Sequence, residues 1–224
     1  MSVSLRLKAV LDFVCESSIL ADIGTDHAYL PIEACKANLC DTAIACDINK
    51  GPLNIADANI RLAGLAERIQ TRLGDGLVPL AQNEADCISI CGMGGMRIWN
   101  ILQAQPEKAK FAKKIILQPQ HDLEELRKNL HGAGYNINAE KLVVEDSRFY
   151  VVLLAAYTGK SEIWSEQEYF WGKYSQDSPH FLQYLQYHKE KIGRYMQSIK
   201  DDDARQVAEK RMKWIDDACR RYNG

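Results

Sequence analysis

Acidic and glycine-rich segments close the first three apolar runs of the chain. The first run ends in Asp22-Ile-Gly-Thr-Asp26, the second in Asp47, and the third in Gly74-Asp-Gly76. A carboxylate at such a point accepts hydrogen bonds from ribose hydroxyls or from an adenine amino group, and glycine lets a ligand approach the backbone closely. The spacing therefore indicates a site for a nucleoside-containing ligand.

Two later segments are suited to a substrate. Cys91-Gly-Met-Gly-Gly-Met96 is a loop of small residues that a cofactor and a substrate can both approach, and Gln118-Pro-Gln120 carries amides that can read the edge of a base. A single Gly-Asp-Gly or terminal aspartate is more often a turn or a helix cap. Several such features at successive strand ends favour one shared site instead.

The first loop lacks the Gly-x-Gly-x-x-Gly pattern of dinucleotide-binding proteins. Asp26 and His27 stand where a second glycine would be. An acidic side chain is a poor neighbour for a pyrophosphate, which needs bare backbone N–H groups. The departure counts against NAD and is compatible with a cofactor that has a cationic sulfonium and an amino acid tail.

The elements that must position these loops alternate between strand and helix patterns. Predicted strands at 19–23, 42–47, 69–73, 86–91 and 114–118 alternate with predicted helices, the first after Ser4 and the others at 28–37, 52–63, 96–102 and 122–130. Two further strand patterns, 135–144 and 149–157, are too close for a crossover helix and must pair antiparallel. An α/β fold results, with a mostly parallel Rossmann-like sheet closed by an antiparallel hairpin, as in class I methyltransferases.

The last part of the chain differs in kind. Residues 160–224 hold 11 of the 19 aromatic residues and show helical spacing without strand patterns. We predict two antiparallel helices with N-caps from Asp201-Asp-Asp203, and therefore two domains, 1–159 and 160–224.

Composition excludes several other classes. The net charge is −2 and no apolar run approaches the roughly 20 residues of a membrane span, so neither a general nucleic-acid-binding charge nor a membrane protein is indicated. The start of the chain lacks the pattern of a secretory signal. Seven cysteines without a Cys-x-x-Cys pair favour a reduced, cytoplasmic location and no metal site.

Longer motifs identify a family resemblance. Ala21-Asp-Ile-Gly-Thr-Asp-His-Ala-Tyr-Leu-Pro31, with Gly74-Asp-Gly-Leu77, Gly92-Met-Gly-Gly95 and Ile116-Leu-Gln-Pro119, resembles the bacterial tRNA (adenine(22)-N1)-methyltransferases. The resemblance implies a class I enzyme that uses S-adenosylmethionine, carries a helical C-terminal extension, and methylates N1 of an adenosine in the D-arm region of tRNA. Cys91 and Gln120 depart from residues familiar in the family, on the substrate side.

The motifs and the resemblance together assign roles to individual residues. Asp26 is the first candidate for stabilising the methylated base, Gln118 and Gln120 for contacting its edge, and Tyr29 or His27 for stacking on or orienting it. The residues predicted to bind the cofactor are Asp22, Gly24, Thr25, Asp26, His27, Asp47, Ile48, Gly74, Asp75, Gly76, Cys91, Gly92 and Met93. Two basic groups, otherwise solvated helix faces, are predicted to bind RNA: Lys108, Lys110, Lys113 and Lys114, and Lys189, Lys191 and Arg194.

Other functions remain open from the sequence alone. They are a methyltransferase acting on another RNA or on a small molecule, an NAD-dependent oxidoreductase, and a noncatalytic RNA-binding module. The missing glycine pattern and the terminal hairpin disfavour the oxidoreductase, and the complete set of strand-end loops disfavours the noncatalytic module. The expected partners are tRNA, with no membrane and no obligate protein partner.

Overall fold

The computed structural model describes residues 4–14, 16–160 and 162–222, and the elements within them match most of the predicted ones. One of the seven cysteines, Cys15, lies outside the described residues. The strands are β1 Ser17–Ile23, β2 Cys40–Asp47, β3 Ile69–Leu73, β4 Cys87–Met93, β5 Lys114–Pro119, β6 Tyr135–Glu145 and β7 Arg148–Tyr157. The helices are α1 Leu5–Val14, α2 Tyr29–Lys36, α3 Lys50–Leu62, α4 Gly95–Ala104, α5 Pro106–Phe111, α6 Leu123–Gly132, α7 Glu166–Trp171, α8 Phe181–Met196 and α9 Asp202–Tyr222.

The strands form one seven-stranded sheet in the order β3-β2-β1-β4-β5-β7-β6. Strands β1 to β5 are parallel, whereas β7 pairs antiparallel with both β5 and β6. The predicted sheet and its closing hairpin are therefore confirmed. Since β1 lies between β2 and β4, the strand order reverses at β1 and β4, and their carboxyl ends border the crevice where such sheets bind ligands.

The central strands are apolar because helices cover both faces of the sheet. Ile88 and Ile90 of β4 and Ile115 and Leu117 of β5 are fully buried, as expected for strands that do not alternate between polar and apolar residues. Burial of these side chains anchors the strand ends from which the functional loops leave.

Two local features differ from the predictions. Strand β4 continues through Cys91 to Met93, with an irregularity in its pairing to β5, so part of the predicted loop belongs to the strand. Helix α5 was not predicted, because six residues are too few for a helical period to emerge from the pattern.

The chain divides into two compact units, residues 1–163 and 164–224. In the second unit α8 and α9 form the expected antiparallel pair, since Phe181 at the start of α8 contacts Tyr222 at the end of α9. The backbone N–H of Ala204 donates to Asp201 Oδ1 at 2.7 Å, which identifies Asp201 as a capping residue. Helix α7 and a 3-10 helix at Tyr174–Asp177 precede this pair and were not predicted.

Among the helices that the structure describes, none combines the length and the hydrophobicity needed to cross a bilayer.

Candidate functional site

A cleft of about 1210 Å³ lies at the carboxyl ends of the parallel strands. Every one of the five parallel strands contributes a loop or terminal residue to its lining. The predicted site residues that line it are Asp22, Gly24, Asp26, Tyr29, Asp47, Ile48, Gly74, Asp75, Gly76, Cys91, Gly92, Met93, Gln118 and Gln120. The cleft thus brings together segments that are up to about a hundred residues apart in sequence.

The floor of the cleft contains a buried carboxylate. Ser89 Oγ on β4 donates to Asp22 Oδ1 on β1 at 2.6 Å, which links the two strands at the switch point. Burial raises the pKa of the Asp22 carboxyl above its ordinary value, and the hydrogen bond from Ser89 opposes that shift. Asp22 therefore fixes the geometry of the floor while its own charge is poorly solvated.

The turn after β1 is held tightly at its base. Gly24 has a φ of +73°, and its N–H and that of Thr25 both donate to the carbonyl of Cys46 on β2. The positive φ favours glycine, and a Cβ here would lie 2.2 Å from Cε at the flexible end of Met93, so that side chain would have to move. The turn brings β1, β2 and β4 together at one point of the cleft.

The same turn presents Asp26 and Tyr29 to solvent. His27 and Ala28 both adopt left-handed φ values, of 55° and 60°, just before α2 begins. Asn59 Nδ2 on α3 donates to the His27 carbonyl at 3.0 Å and secures this strained segment. The Asp26 side chain is 80% exposed and Tyr29 is 48% exposed at the mouth of the cleft, where a large substrate could reach them.

Two predicted cofactor residues do not line the cleft. Thr25 is buried, and the ring of His27 packs edge-on against Tyr29 with centroids 5.8 Å apart. Their predicted contact with a cofactor stays a prediction. The structure shows His27 in contact with the Tyr29 ring and with Asp26, whose Oδ1 lies 3.4 Å from His27 Nε2.

Strands β2 and β3 supply the acidic wall. Asp47 Oδ1 accepts from the backbone N–H of Asn49 at 2.7 Å, and the Asp47 carbonyl accepts from Gly74 N–H. A Cβ on Gly76 would lie 3.0 Å from Ile101 of α4, so this loop packs closely against that helix. Asp47 and the exposed Asp75 line the cleft together with the apolar Ile48 and Ile101.

An ion pair behind the acidic wall fixes the loop after β3. Arg72 contacts Glu84 through both terminal nitrogens, at 2.7 and 2.6 Å, and also donates to the Pro79 carbonyl. The Arg72 guanidinium lowers the pKa of the Glu84 carboxyl. Ala81 N–H donates to Glu84 Oε2 at 2.6 Å, so one carboxylate ties together both ends of the segment.

The loops after β4 and β5 form the opposite wall as one unit. Gln120 N–H donates to the Met93 carbonyl at 2.8 Å, and Gly95 N–H donates to the His121 carbonyl at 2.9 Å. A Cβ on Gly94 would lie 2.3 Å from the ring of His121, so only glycine permits this packing without displacement of the ring. Two loops that are separate in sequence are therefore coupled.

Gln118 lies at the base of this wall and is fully buried. Its Nε2 donates to the Pro119 carbonyl at 2.9 Å, while its Oε1 has no hydrogen-bond partner among the described residues. A buried amide oxygen without a donor is costly unless a ligand supplies one. The observation supports a donor group on a ligand of this cleft.

Helices α1 and α4 contribute lining residues that the sequence patterns do not predict. Arg6 and Leu7 of α1 and Arg97 and Ile101 of α4 also line the cleft. The apolar period of α1 predicts the face of the helix that packs on the sheet, but no local pattern shows that its first turn reaches the strand ends.

The basic groups predicted to bind RNA have varied surroundings. Lys108 Nζ donates to the carbonyls of Leu77 and Val78, and Lys110 pairs with Glu107, so both support local structure. Lys113 is exposed and Lys114 is half-buried.

In the second unit Lys189 pairs with Asp216 of α9, whereas Lys191 and Arg194 are exposed on α8.

No group of three or more histidine, cysteine or acidic side chains suited to hold a metal ion occurs among the described residues.

This chain matches a family model, a curated relative and solved structures. A family model described as "Methyltransferase domain" matches residues 3–153. The Bacillus subtilis (strain 168) protein named tRNA (adenine(22)-N(1))-methyltransferase is 37% identical over 155 residues, which are 69% of this chain and 65% of the relative. This chain thus matches slightly less than two thirds of that curated relative.

Two solved structures are similar over nearly the whole chain. The M. capricolum TrmK structure in complex with the cofactor product S-adenosylhomocysteine is 30% identical, with a TM-score of 0.85, and the match covers 96% of this chain and 99% of that one. The B. subtilis m1A22 tRNA methyltransferase TrmK is 28% identical, with a TM-score of 0.86 and coverage of 97% and 98%. The similarity therefore includes both compact units.

Proposed function

This chain belongs to the family of tRNA (adenine(22)-N1)-methyltransferases, and on that premise we propose that it transfers a methyl group from S-adenosylmethionine to N1 of adenosine 22 in tRNA. The observation that carries the proposal is the convergence of all the strand-end motifs on one cleft with an acidic wall and a substrate wall. The acidic wall is suited to a nucleoside cofactor and the substrate wall to a base, so the two walls together indicate a site that binds both.

The residues on the β1–β2–β3 side fit the cofactor. Asp47 would accept from the ribose hydroxyls, Asp75 would accept from the adenine amino group, and the glycines of both loops leave room for the rings. Acidic groups here would repel a pyrophosphate but suit a cationic sulfonium. S-adenosylmethionine supplies an electrophilic methyl group when it is bound in this position.

The residues on the substrate side need to position a base rather than to deprotonate it. N1 of adenine carries an in-plane lone pair and would attack the methyl carbon directly. The bond from that carbon to sulfur would break, with its electron pair going to the sulfur of the departing S-adenosylhomocysteine, and the positive charge would pass to the adenine ring. A carboxylate or amide oxygen that accepts from N6–H therefore stabilises the transition state more than the ground state. Asp26 and the unpartnered Oε1 of Gln118 are the two acceptors that we assign to this role, with Gln120 on the base edge and Tyr29 stacked on the ring.

The proposal is tested with purified protein, S-adenosylmethionine and unmodified tRNA transcripts that do or do not contain adenosine 22. We expect N1-methyladenosine, detected by nucleoside mass analysis, only in the transcript with adenosine 22. Cofactor binding without methylation of any tRNA would favour the second candidate, a methyltransferase of another RNA or of a small molecule.

The role of Asp26 is tested separately. Asp26→Asn keeps the size of the side chain and removes its charge, so we expect turnover to fall about 100-fold, the effect of losing one preorganised transition-state contact. Because the side chain is largely exposed, cofactor affinity should change little. Full turnover in the variant would exclude the role.

We also propose that residues 160–224 form an RNA-binding extension and that the enzyme works in the cytoplasm, where its tRNA substrate is found. Lys191 and Arg194 support the first point as exposed cations on one helix. Reversing both to Glu should weaken tRNA binding and leave cofactor binding unchanged. Equal loss of both would indicate misfolding instead.

A further inference from the structure

Helix α1 is fixed to the terminal hairpin of the sheet near the cleft. The backbone N–H of Leu5 donates to Glu145 Oε1 at 2.7 Å, and Lys141 on β6 pairs with Asp12 at 2.6 Å. Ser4 Oγ accepts from Leu7 N–H and caps the helix. The first turn of α1 is therefore held in a defined position above the strand ends.

This anchoring places Arg6 in the lining of the cleft. Its guanidinium carbon lies 5.3 Å from the ring centroid of Tyr150 on β7, a cation–π geometry that orients the side chain. No carboxylate lies within ion-pair distance of Arg6 in the part of the chain that the structure describes. Since an aromatic ring occupies only one face of the guanidinium, its N–H donors are available to a ligand.

The position of Arg6 belongs to the substrate side. Tyr150 is on β7, which pairs with β5, the strand that leads into the Gln118 to Gln120 segment of the substrate wall. Burial raises the pKa of the Cys91 thiol, and the charge of Arg6 opposes that shift. The other cations of the lining are placed differently. Lys36 pairs with Glu33, and Arg97 shares a helix face with Ile101, which packs against the loop after β3.

We propose that Arg6, oriented by Tyr150, binds a phosphate that flanks the target adenosine. The inference rests on the proposed function and extends it to a residue that positions the substrate. An arginine fork matches a phosphate through two parallel N–H donors. Asp26 also lines the cleft, and its carboxylate would repel a phosphate, so we expect the phosphate beside Arg6 and away from Asp26.

The first test measures tRNA affinity as a function of salt for Arg6→Gln and for Lys8→Gln, a matched control that removes a charge from an exposed position of the same helix. We expect Arg6→Gln to weaken tRNA binding about 10-fold to 100-fold and to reduce the slope of log K against log salt by about one. The control should change neither value. S-adenosylmethionine affinity should be unchanged in both variants.

A second test changes the tRNA instead of the protein, and its first arm uses the wild-type protein alone. Full-length tRNAs are ligated from synthetic halves that carry an uncharged methylphosphonate on the 5′ or the 3′ side of adenosine 22. We expect one of the two methylphosphonate tRNAs to bind the wild-type protein as weakly as native tRNA binds Arg6→Gln. That same modified tRNA should bind Arg6→Gln no more weakly still, because both changes remove the same contact.

Tyr150 is tested with two variants that differ in the ring. Tyr150→Phe should behave as wild type because it keeps the ring, whereas Tyr150→Leu should raise the KM for tRNA and leave kcat unchanged.

Several results would overturn the inference. They are wild-type affinity for both methylphosphonate tRNAs, an unchanged salt slope in Arg6→Gln, and a loss in that variant of S-adenosylmethionine affinity alone. The last result would assign Arg6 to the carboxylate of the cofactor. Failure of the wild-type protein to methylate any tRNA would instead refute the proposed function, so the two failures are distinguishable.

Discussion

Gly24→Ala is the substitution whose effect the structure specifies most fully. Alanine at a φ of +73° costs about 1–2 kcal/mol. The new methyl group would also lie 2.2 Å from Met93 Cε, and the methionine side chain must rotate away at a further cost of about 1 kcal/mol. We therefore expect a loss of about 2–3 kcal/mol in the free energy of unfolding.

The displaced Met93 side chain lines the cleft, so the substitution affects ligand binding as well. Calorimetric titration should show S-adenosylmethionine binding at least about tenfold weaker than in wild type, since about 1.4 kcal/mol corresponds to a factor of ten. Gly51→Ala is the matched control, because it lies in α3 and a Cβ there meets nothing within 4 Å. The control should be neutral or stabilising. Wild-type cofactor affinity and stability in Gly24→Ala would refute the assignment of this turn to the cofactor.

Three further substitutions test other parts of the site. Glu84→Gln should destabilise the protein by about 1–3 kcal/mol above pH 4.5, and the difference from wild type should vanish as pH falls through the lowered pKa of Glu84. Melting temperatures of the two proteins that do not converge at low pH would contradict the ion pair with Arg72. The stability of Asp22→Asn should rise relative to that of wild type as pH rises from 3.8 through the raised pKa of Asp22, because ionising the buried carboxyl destabilises only the wild type. The opposite trend in melting temperature would be inconsistent with the burial of Asp22. Gly94→Ala should displace the His121 ring and raise the KM for tRNA, while cofactor affinity stays at the wild-type value. Steady-state kinetics measure the KM and titration measures the cofactor affinity; an equal loss of tRNA and cofactor affinity would contradict the prediction.

The order of strands and helices was predictable because the apolar runs are short, continuous and separated by glycine or proline. Asp47 and Gly74-Asp-Gly76 could be placed at strand ends for the same reason, and parallel strands place such ends at one edge of the sheet. The confirmed closing hairpin followed from the short separation between the last two strand patterns.

Other features depend on contacts between residues far apart in sequence. Arg6 reaches the cleft because α1 docks on the hairpin through Glu145, about 140 positions later, and nothing near Arg6 encodes that contact. The packing of Gly94 under His121 likewise joins two loops. Lys108 was predicted to bind RNA because it belongs to a basic run in the sequence. The sequence does not show that its amine donates hydrogen bonds to the Leu77 and Val78 carbonyls of a neighbouring loop.

The most direct test of the central claim follows the methyl group itself. The wild-type protein is incubated with S-adenosylmethionine that carries a deuterated methyl group and with unmodified tRNA, and nuclease fragments are analysed by mass. We expect the labelled methyl on adenosine 22, and its conversion under alkaline conditions to the N6-methyl form identifies the product as N1-methyladenosine. Label on another nucleotide, on N6 before the alkaline conversion, or on no fragment at all would contradict the claim.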